Sequence, residues 1–205
     1  MDSQSSISDL RLTGGDLCLD FINTVPHRFK PEEGDYLQSF RDITAWYHHI
    51  QGMTPKTIQT LDRLAKSYPQ KAAQVFTKSI QLRELLYQIC LQVTTGKAPA
   101  PHDLITLSTY IAEAYTNMEL SWQKEQGRLQ LQFNAPALEQ VNWHIAQHAL
   151  QLLTNGPLKQ VKQCPGCGWI FLDKSKNSSR RWCSMATCGD IDKVTRFQQR
   201  NKKRK

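Results

Sequence analysis

Four cysteines near the end of the chain have the spacing of metal ligands. Two residues separate the first pair, four separate the second, and fifteen lie between the pairs, which are Cys164, Cys167, Cys183 and Cys188. A Cys-x-x-Cys turn directs two thiolates at one point, and a second pair completes the tetrahedral set that Zn²⁺ prefers in structural sites. Two disulfides or four unrelated thiols are the alternative, but nothing indicates an oxidising compartment. We expect one structural zinc ion with no open position for catalysis.

The cysteine-rich segment also carries the whole excess of positive charge. The chain has 26 Lys and Arg residues against 18 Asp and Glu, a net charge of +8. Residues 164–205 hold 11 of these basic residues and 3 of the acidic ones, so 11 − 3 = +8, and the remainder sums to zero. This concentration indicates a polyanionic partner, with a basic tail kept for solubility as the alternative. The expected nucleic-acid contacts are Lys174, Arg180, Arg181, Lys193, Arg196, Arg200 and Lys203.

The segment has the pattern of a compact zinc finger. Short strand-like runs flank the first cysteine pair, and a helix is expected from Gly189 onward. On that helix Ile191, Val194 and Phe197 share one side, which we expect to dock on the zinc knuckles, while the basic residues share another side that could meet phosphates. A knuckle, a hairpin and a helix that carries the second pair predict a treble-clef-like finger.

The preceding residues predict a mostly helical domain. Apolar residues recur at helical spacing over 39–51, from 54 onward, and over 70–94, 101–115 and 136–153. Alternating apolar residues over 118–122 and 129–133 predict a β-hairpin with its loop at 124–128. The fold class expected is therefore α+β, a mostly helical N-terminal domain with one β-hairpin plus the small finger.

A domain boundary is expected at Asn155-Gly156-Pro157, a strong breaker of regular structure. It divides the chain into residues 1–157 and residues 158–205. Because the finger is too short to bury a core unaided, we expect metal to supply its folding energy, and loss of a ligand to unfold it locally.

An apolar run at 17–25 is ambiguous between strand and helix. It contains two polar residues, Asp20 and Asn23, which could belong to a capping network or to a ligand pocket. The remaining cysteines, Cys18 and Cys90, lie in apolar contexts and are predicted to be buried thiols.

Several classes of protein are not indicated. The sequence has no Gly-rich phosphate loop, nucleophile elbow or paired-acid pattern, so we do not expect an enzyme. No apolar run approaches the ~20 residues of a membrane helix, and the N-terminus has no signal-peptide pattern. The expectation is a soluble cytoplasmic protein without membrane contact.

The residues from Cys164 to Met185 resemble the CGNR zinc finger of bacteria. In that family the finger follows a domain called ABATE, which is associated with stress-responsive regulation of transcription, and residues 17–25 are similar to its opening. The resemblance covers nearly the whole chain and implies a bacterial regulator that binds DNA. One departure is clear, because the Cys-Gly-Asn-Arg of the family name is Cys188-Gly189-Asp190-Ile191 here. An arginine is lost and an acid appears.

The leading hypothesis is thus a cytoplasmic bacterial transcription regulator whose Cys₄ finger binds DNA. Its N-terminal domain would sense a small-molecule effector or form a homodimer, and the sequence leaves both open. An RNA-binding protein, and a protein–protein adaptor that uses the finger as a scaffold, are the alternatives.

Overall fold

The computed structural model of the protein describes residues 6–202. Within that range the chain forms seven α-helices and two antiparallel hairpins: α1 (Leu17–Ile22), α2 (Phe40–His49), α3 (Pro55–Ser67), α4 (Pro69–Thr94), α5 (Pro101–Thr116), β1 (Met118–Gln123), β2 (Arg128–Phe133), α6 (Gln140–Asn155), β3 (Val161–Gln163), β4 (Ile170–Leu172) and α7 (Asp190–Lys202). The expected α+β class, with a mostly helical N-terminal region, one hairpin and a small cysteine-rich finger, is confirmed.

The predicted helices lie close to their expected bounds. Three of them begin at a proline, Pro55, Pro69 or Pro101, where a missing N–H costs nothing. The last helix of the N-terminal region begins at Gln140 rather than Pro136. Its amide donates to the Ala137 carbonyl at 3.1 Å, so residues 136–139 form a turn before the helix.

Helix α4 is the central element, and with 26 residues it is the longest described helix. It contacts α1, α2, α3, α5 and α6 as well as β3 and β4. Its buried stripe includes Val75, Leu82, Leu86 and Ile89, so the other helices pack around it. No helix within residues 6–202 combines the length and apolar character that a membrane crossing requires.

The ambiguous run at 17–25 begins as helix α1. Asp16 caps it, with its Oδ1 accepting from the Cys18 amide at 2.9 Å. Cys18, Leu19 and Phe21 are 0% exposed, because α4, α6 and β4 all pack on this short helix. Apart from Asp20 the helix is apolar, as expected for a core element, and periodicity alone could not distinguish it from a buried strand.

Strands β1 and β2 form the expected hairpin. Met118 pairs with Phe133 and Trp122 with Leu129, which places six apolar side chains on one face. The base of the hairpin packs on the domain, where the rings of Phe133 and Trp143 lie 5.6 Å apart. The outer half of the same face is exposed to solvent.

One hydrophobic core spans the N-terminal region and the finger. Trp169, Phe171 and Trp182 lie in the same buried cluster as residues of α1 to α4 and α6. The predicted boundary at residue 157 falls in the turn after α6, and packing is continuous across it. The finger is therefore not packed independently of the N-terminal region, and the contacts that cover its aromatic residues add to the folding energy that a metal ion would supply.

Asn23 joins the finger to α1. Its side-chain amide donates to the Ile170 carbonyl at 2.7 Å, and its Oδ1 accepts from the Ile170 amide at 3.0 Å. Both residues are buried, so the backbone N–H and C=O of Ile170 need partners. The Asn23 side chain supplies both, as a neighbouring strand would. Trp169 adds a further link, since its Nε1 donates to the Val25 carbonyl at 2.7 Å.

Gly14 makes a second connection to β4. Its carbonyl accepts from the Leu172 amide at 2.8 Å, and its own amide donates to Asp20 Oδ1 at 2.8 Å. A Cβ on Gly14 would lie 2.7 Å from the backbone nitrogen of Asp20, so only glycine permits this approach. Burial raises the pKa of Asp20 to about 6, although the Gly14 amide and Lys174 act to lower it.

We expect Asn23→Ala to destabilise the whole chain. The change removes two hydrogen bonds and leaves the buried N–H and C=O of Ile170 without partners, a loss of about 2–4 kcal/mol in the free energy of unfolding. Urea unfolding of the metal-loaded chain measures this loss. Asn117→Ala is the control, because the Asn117 amide donates at the exposed end of α5, and equal losses in both variants would contradict the role of Asn23.

Asp20→Asn should stabilise the protein at neutral pH. The folded state raises the Asp20 pKa from 3.8 to about 6, so ionisation opposes folding increasingly as pH rises through this window. Asparagine keeps the Oδ1 acceptor for Gly14 but carries no charge. The gain should be small near pH 4 and reach at most about 3 kcal/mol above pH 6. Urea unfolding of both proteins across pH tests this, and a gain that does not change with pH would contradict it.

Candidate metal centre and nucleic-acid interface

The four predicted ligands come from three local structures. Cys164 and Cys167 lie in the turn between β3 and β4, which is closed by the Gly168 amide donating to the Cys164 carbonyl at 2.9 Å. Cys183 follows the loop after β4. Cys188 lies in a wide turn, Met185–Gly189, that continues directly into α7.

The four sulfur atoms converge on one point. All lie within 4.8 Å of one another, with Cys167 and Cys183 Sγ atoms 3.5 Å apart and Cys183 and Cys188 Sγ atoms 3.7 Å apart. A tetrahedron with Zn–S bonds of about 2.3 Å has edges of roughly 3.8 Å. The donor set and its dimensions therefore fit a single tetrahedral metal ion, as the cysteine spacing predicted.

Burial and neighbouring thiols raise the pKa of Cys188. This thiol therefore favours its protonated form, whereas a divalent ion bound to the cluster would favour the thiolate. Cys18 and Cys90 are buried away from this cluster, as predicted, and burial raises the pKa of Cys90 to about 12. Neither of these two thiols belongs to the group of ligands.

Asp173 organises the loop that leads to Cys183. Its carboxylate accepts from Lys162 Nζ at 2.6 Å, from the Ser175 hydroxyl at 2.6 Å and from the Arg180 amide at 2.9 Å. Burial alone would raise the pKa of Asp173, but these bonds outweigh it and hold the pKa well below its usual range. This role was not predicted from the sequence, although an acid directly after a buried strand was a visible signal.

Arg28 supports the first cysteine pair from the N-terminal region. Its amide donates to the Cys167 carbonyl at 2.8 Å, and its guanidinium lies 4.1 Å from the Tyr87 ring centroid and pairs with Glu84 at 2.6 Å. Gly168 adopts φ +79° there, and a Cβ on it would lie 2.6 Å from Arg28 Cβ. No local sequence pattern could have identified this support, because Arg28 is far from the cysteines along the chain.

Three of the predicted nucleic-acid contacts lie in the loop between β4 and Cys183, and two are already engaged. Lys174 Nζ donates to the Gly15 carbonyl at 2.8 Å. Arg180 donates to the Trp182 carbonyl at 2.9 Å and to the Cys183 carbonyl, and it lies over the Phe171 ring. Arg181 is exposed and stacks 5.0 Å from the Trp182 ring centroid. Arg180 thus stabilises the loop that leads to Cys183, whereas Arg181 faces solvent.

Three more predicted contacts lie on α7. Lys193 pairs with Asp190 at 3.0 Å and Arg196 with Asp192 at 2.9 Å, whereas Arg200 is exposed near the end of the helix. The seventh predicted contact, Lys203, lies outside the described residues. The role of all seven in binding stays a prediction.

The expected docking of α7 on the zinc knuckles is wrong. Ile191, Val194 and Phe197 are 66%, 55% and 66% exposed. The aromatic residues of the finger are already covered by the N-terminal region, so they offer no apolar surface for the helix to bury. Helix α7 contacts chiefly the turn that carries Cys188, and projects from the body of the protein.

Comparison with family models agrees with this geometry. Residues 160–201 match the CGNR zinc finger, which identifies the class of metal-binding module. Residues 15–156 match ABATE, described as "Putative stress-induced transcription regulator". That match covers 142 of the 205 residues, so the chain belongs to the ABATE family and ends in a CGNR zinc finger. The family resemblance predicted from the sequence is confirmed, and a search of curated proteins finds no match.

Cys183→Ser should lower the stability of the whole chain, because the metal cluster shares a core with α1 and α4. We expect loss of most bound metal and a single unfolding transition at lower temperature, measured by metal analysis and calorimetry. Cys90→Ala is the matched control, since it alters a buried thiol outside the cluster and should keep its metal. A variant whose finger melts separately from an unchanged main transition would show that the shared core does not couple them.

Proposed function

We propose that the protein is a transcription regulator that binds DNA through its zinc finger. The observation that carries this proposal is α7, a basic helix that follows the metal ligand Cys188 and is exposed at every residue from 193 to 201. An α-helix fits the major groove of B-DNA, and its Lys and Arg side chains would displace counterions from phosphates.

Zn²⁺ is the proposed metal, with a structural role. Soft thiolates in a tetrahedral arrangement select zinc over harder cations. Four thiolates fill the coordination sphere and leave no position for a water nucleophile, so we propose no metal-based catalysis. The metal would hold Cys188 at the start of α7 and thereby fix where the helix leaves the body.

Isolated helices of this length are marginal in water. Asp190 and Asp192 stabilise the first turn of α7 by their position at the positive end of the helix dipole. They also pair with Lys193 and Arg196, two of the side chains that would otherwise contact phosphates. Helix stability and affinity for DNA are therefore in competition at this end of α7.

Replacing Arg196 and Arg200 by Ala should weaken DNA binding, most strongly at low salt concentration. Removal of one phosphate interaction should reduce the slope of log K against log [salt] by about one unit, so the double variant should show a reduction of roughly two units. Fluorescence anisotropy with labelled duplexes across a salt series measures the slope. Arg63→Ala is the control, because Arg63 is an exposed arginine on α3.

Asp192→Asn should have the opposite effect. It removes the acid that pairs with Arg196 at 2.9 Å and releases that guanidinium for a phosphate. Affinity for DNA should rise and the salt dependence should steepen. Unchanged slopes in both variants would place the nucleic-acid contact elsewhere on the protein.

A selection experiment separates DNA from the alternative partners. The metal-loaded chain is mixed with genomic DNA fragments and structured RNA over a salt series, and the bound pool is sequenced. A recurring DNA motif supports a site-specific regulator, whereas preference for RNA supports the RNA-binding alternative. Absence of binding would favour a protein adaptor, for which the exposed Ile191, Val194 and Phe197 supply the specific observation.

The N-terminal domain offers a place for a small-molecule effector. A groove of about 920 Å³ lies between the α2–α3 connection, β2 and α6. Its lining combines apolar residues with neutral polar ones, including Gln51, Gln140 and His144. Burial, with a smaller contribution from His148, lowers the pKa of His144 to about 4, so its ring is neutral at physiological pH. We propose a neutral polar effector. The reduced thiols that the metal requires favour a cytoplasmic setting, and the resemblance to the CGNR fingers of bacteria is the basis for proposing a bacterial protein.

A further inference from the structure

The outer half of the β1–β2 hairpin carries an uncovered apolar face. Leu120, Trp122 and Leu129 are 66%, 58% and 60% exposed, and they lie on the same face as Phe133, which packs on Trp143. A two-stranded hairpin is only marginally stable by itself in water. Large apolar side chains grouped on one exposed face are typical of interaction sites. We call this outer half the hairpin arm.

Helix α5, which leads directly into the arm, has an outer face without charge. Seven exposed positions fall within an arc of roughly 140° on the helical wheel. They are Leu104, Ile105, Ser108, Thr109, Ala112, Tyr115 and Thr116. A helix face that meets only solvent usually carries Lys, Arg or Glu. The arm and this α5 face are therefore two neighbouring segments of chain with the composition of an interface.

We propose that the arm and the outer face of α5 bind a second copy of this chain. Six large side chains on these two segments are 39–68% exposed. They offer on the order of 600 Å² per copy, taking 150–250 Å² for a large side chain, against about 800 Å² per partner in a standard stable interface. Flanking Ser, Thr and Ala on α5 bring the surface close to that size. This inference does not depend on the proposed function.

Charge favours a second copy at this surface rather than at α7. The whole hairpin, residues 118–133, contains two acids, Glu119 and Glu125, and two basic residues, Lys124 and Arg128, so its net charge is zero. The segment that includes α7 carries the whole net charge of +8, and two such segments would repel each other. The acids of α5, Asp103 and Glu113, lie outside its uncharged outer face. Two copies can therefore meet at the arm and this face with little like-charge repulsion, whereas pairing through the apolar side of α7 would bring like charges together.

The hairpin arm also lies at a distance from the zinc finger. The base of the hairpin packs through Phe133 on Trp143, one turn of α6 beyond Glu139, and Glu139 pairs with Lys71 near the start of α4. The finger contacts α4 further along, where the Tyr87 hydroxyl donates to the Gly168 carbonyl at 3.2 Å. The sixteen-residue separation between positions 71 and 87 corresponds to roughly 24 Å along the helix axis. A dimer joined at the arms would therefore make its contact away from both metal clusters.

Sedimentation of the full metal-loaded chain over a dilution series tests the proposal. The wild-type chain should form a dimer, and Trp122→Glu and Ile105→Glu should each weaken association by about tenfold or more. Tyr68→Glu is the matched control, because Tyr68 is 60% exposed, like Trp122, but lies between α3 and α4. It should leave the dimer intact, and circular dichroism with metal analysis verifies that each variant is folded.

Amide hydrogen exchange of the unmodified chain gives a second measurement that needs no substitution. Residues 101–133 should gain protection as the protein is concentrated. A wild-type chain that stays monomeric throughout the dilution series would overturn the proposal and leave the surface to a different protein. A dimer that survives Trp122→Glu and Ile105→Glu but dissociates in Phe197→Glu would overturn it in favour of α7.

Discussion

The pairing of the Asn23 amide with Ile170 joins β4 of the finger to the end of helix α1. A Cys₄ cluster fixes four sulfur atoms, but it cannot cover the aromatic residues beside them, because the finger is too short to enclose a core. Helix α1 supplies the missing cover, and Asn23 satisfies the N–H and C=O that β4 would otherwise bury without partners. A bound metal ion and the N-terminal domain would therefore stabilise the same few residues of the finger.

The shared core limits how the N-terminal domain and the zinc finger can affect each other. The Cys167 carbonyl accepts from the Arg28 amide. The Arg28 side chain pairs with Glu84, Glu84 also pairs with Arg83, and Arg83 pairs with Asp35. Arg83 is 3% exposed, so its pairing with Asp35 is held by packing as well as by charge. A finger on a flexible linker could reorient freely, but this one cannot. An effector in the N-terminal domain would act on the finger through packed contacts, or through the association of two copies.

Features whose chemistry is local can be predicted from this sequence. The four cysteines follow from the geometry of a tetrahedral ion, and the helices and hairpin follow from apolar periodicity and from prolines and glycines. Which surfaces pack against each other cannot be predicted from local sequence patterns. Periodicity identifies the apolar stripe of α7 correctly, but it does not reveal that the finger is already covered by α1. Asn23 stands out as a polar residue in an apolar run, yet its partner lies 147 residues away.

The replacement of the family's Asn-Arg by Asp190-Ile191 has a physical meaning in this setting. An arginine at the start of a helix opposes the helix dipole, whereas Asp190 is favoured there and pairs with Lys193. Because α7 packs chiefly on the turn before it, the intrinsic stability of its first turn matters more than it would for a docked helix. The exchange gains helix stability and loses positive charge next to the metal cluster. The remaining basic groups then lie further along the helix, and a polyanion would be held by the middle and end of α7 rather than by its start.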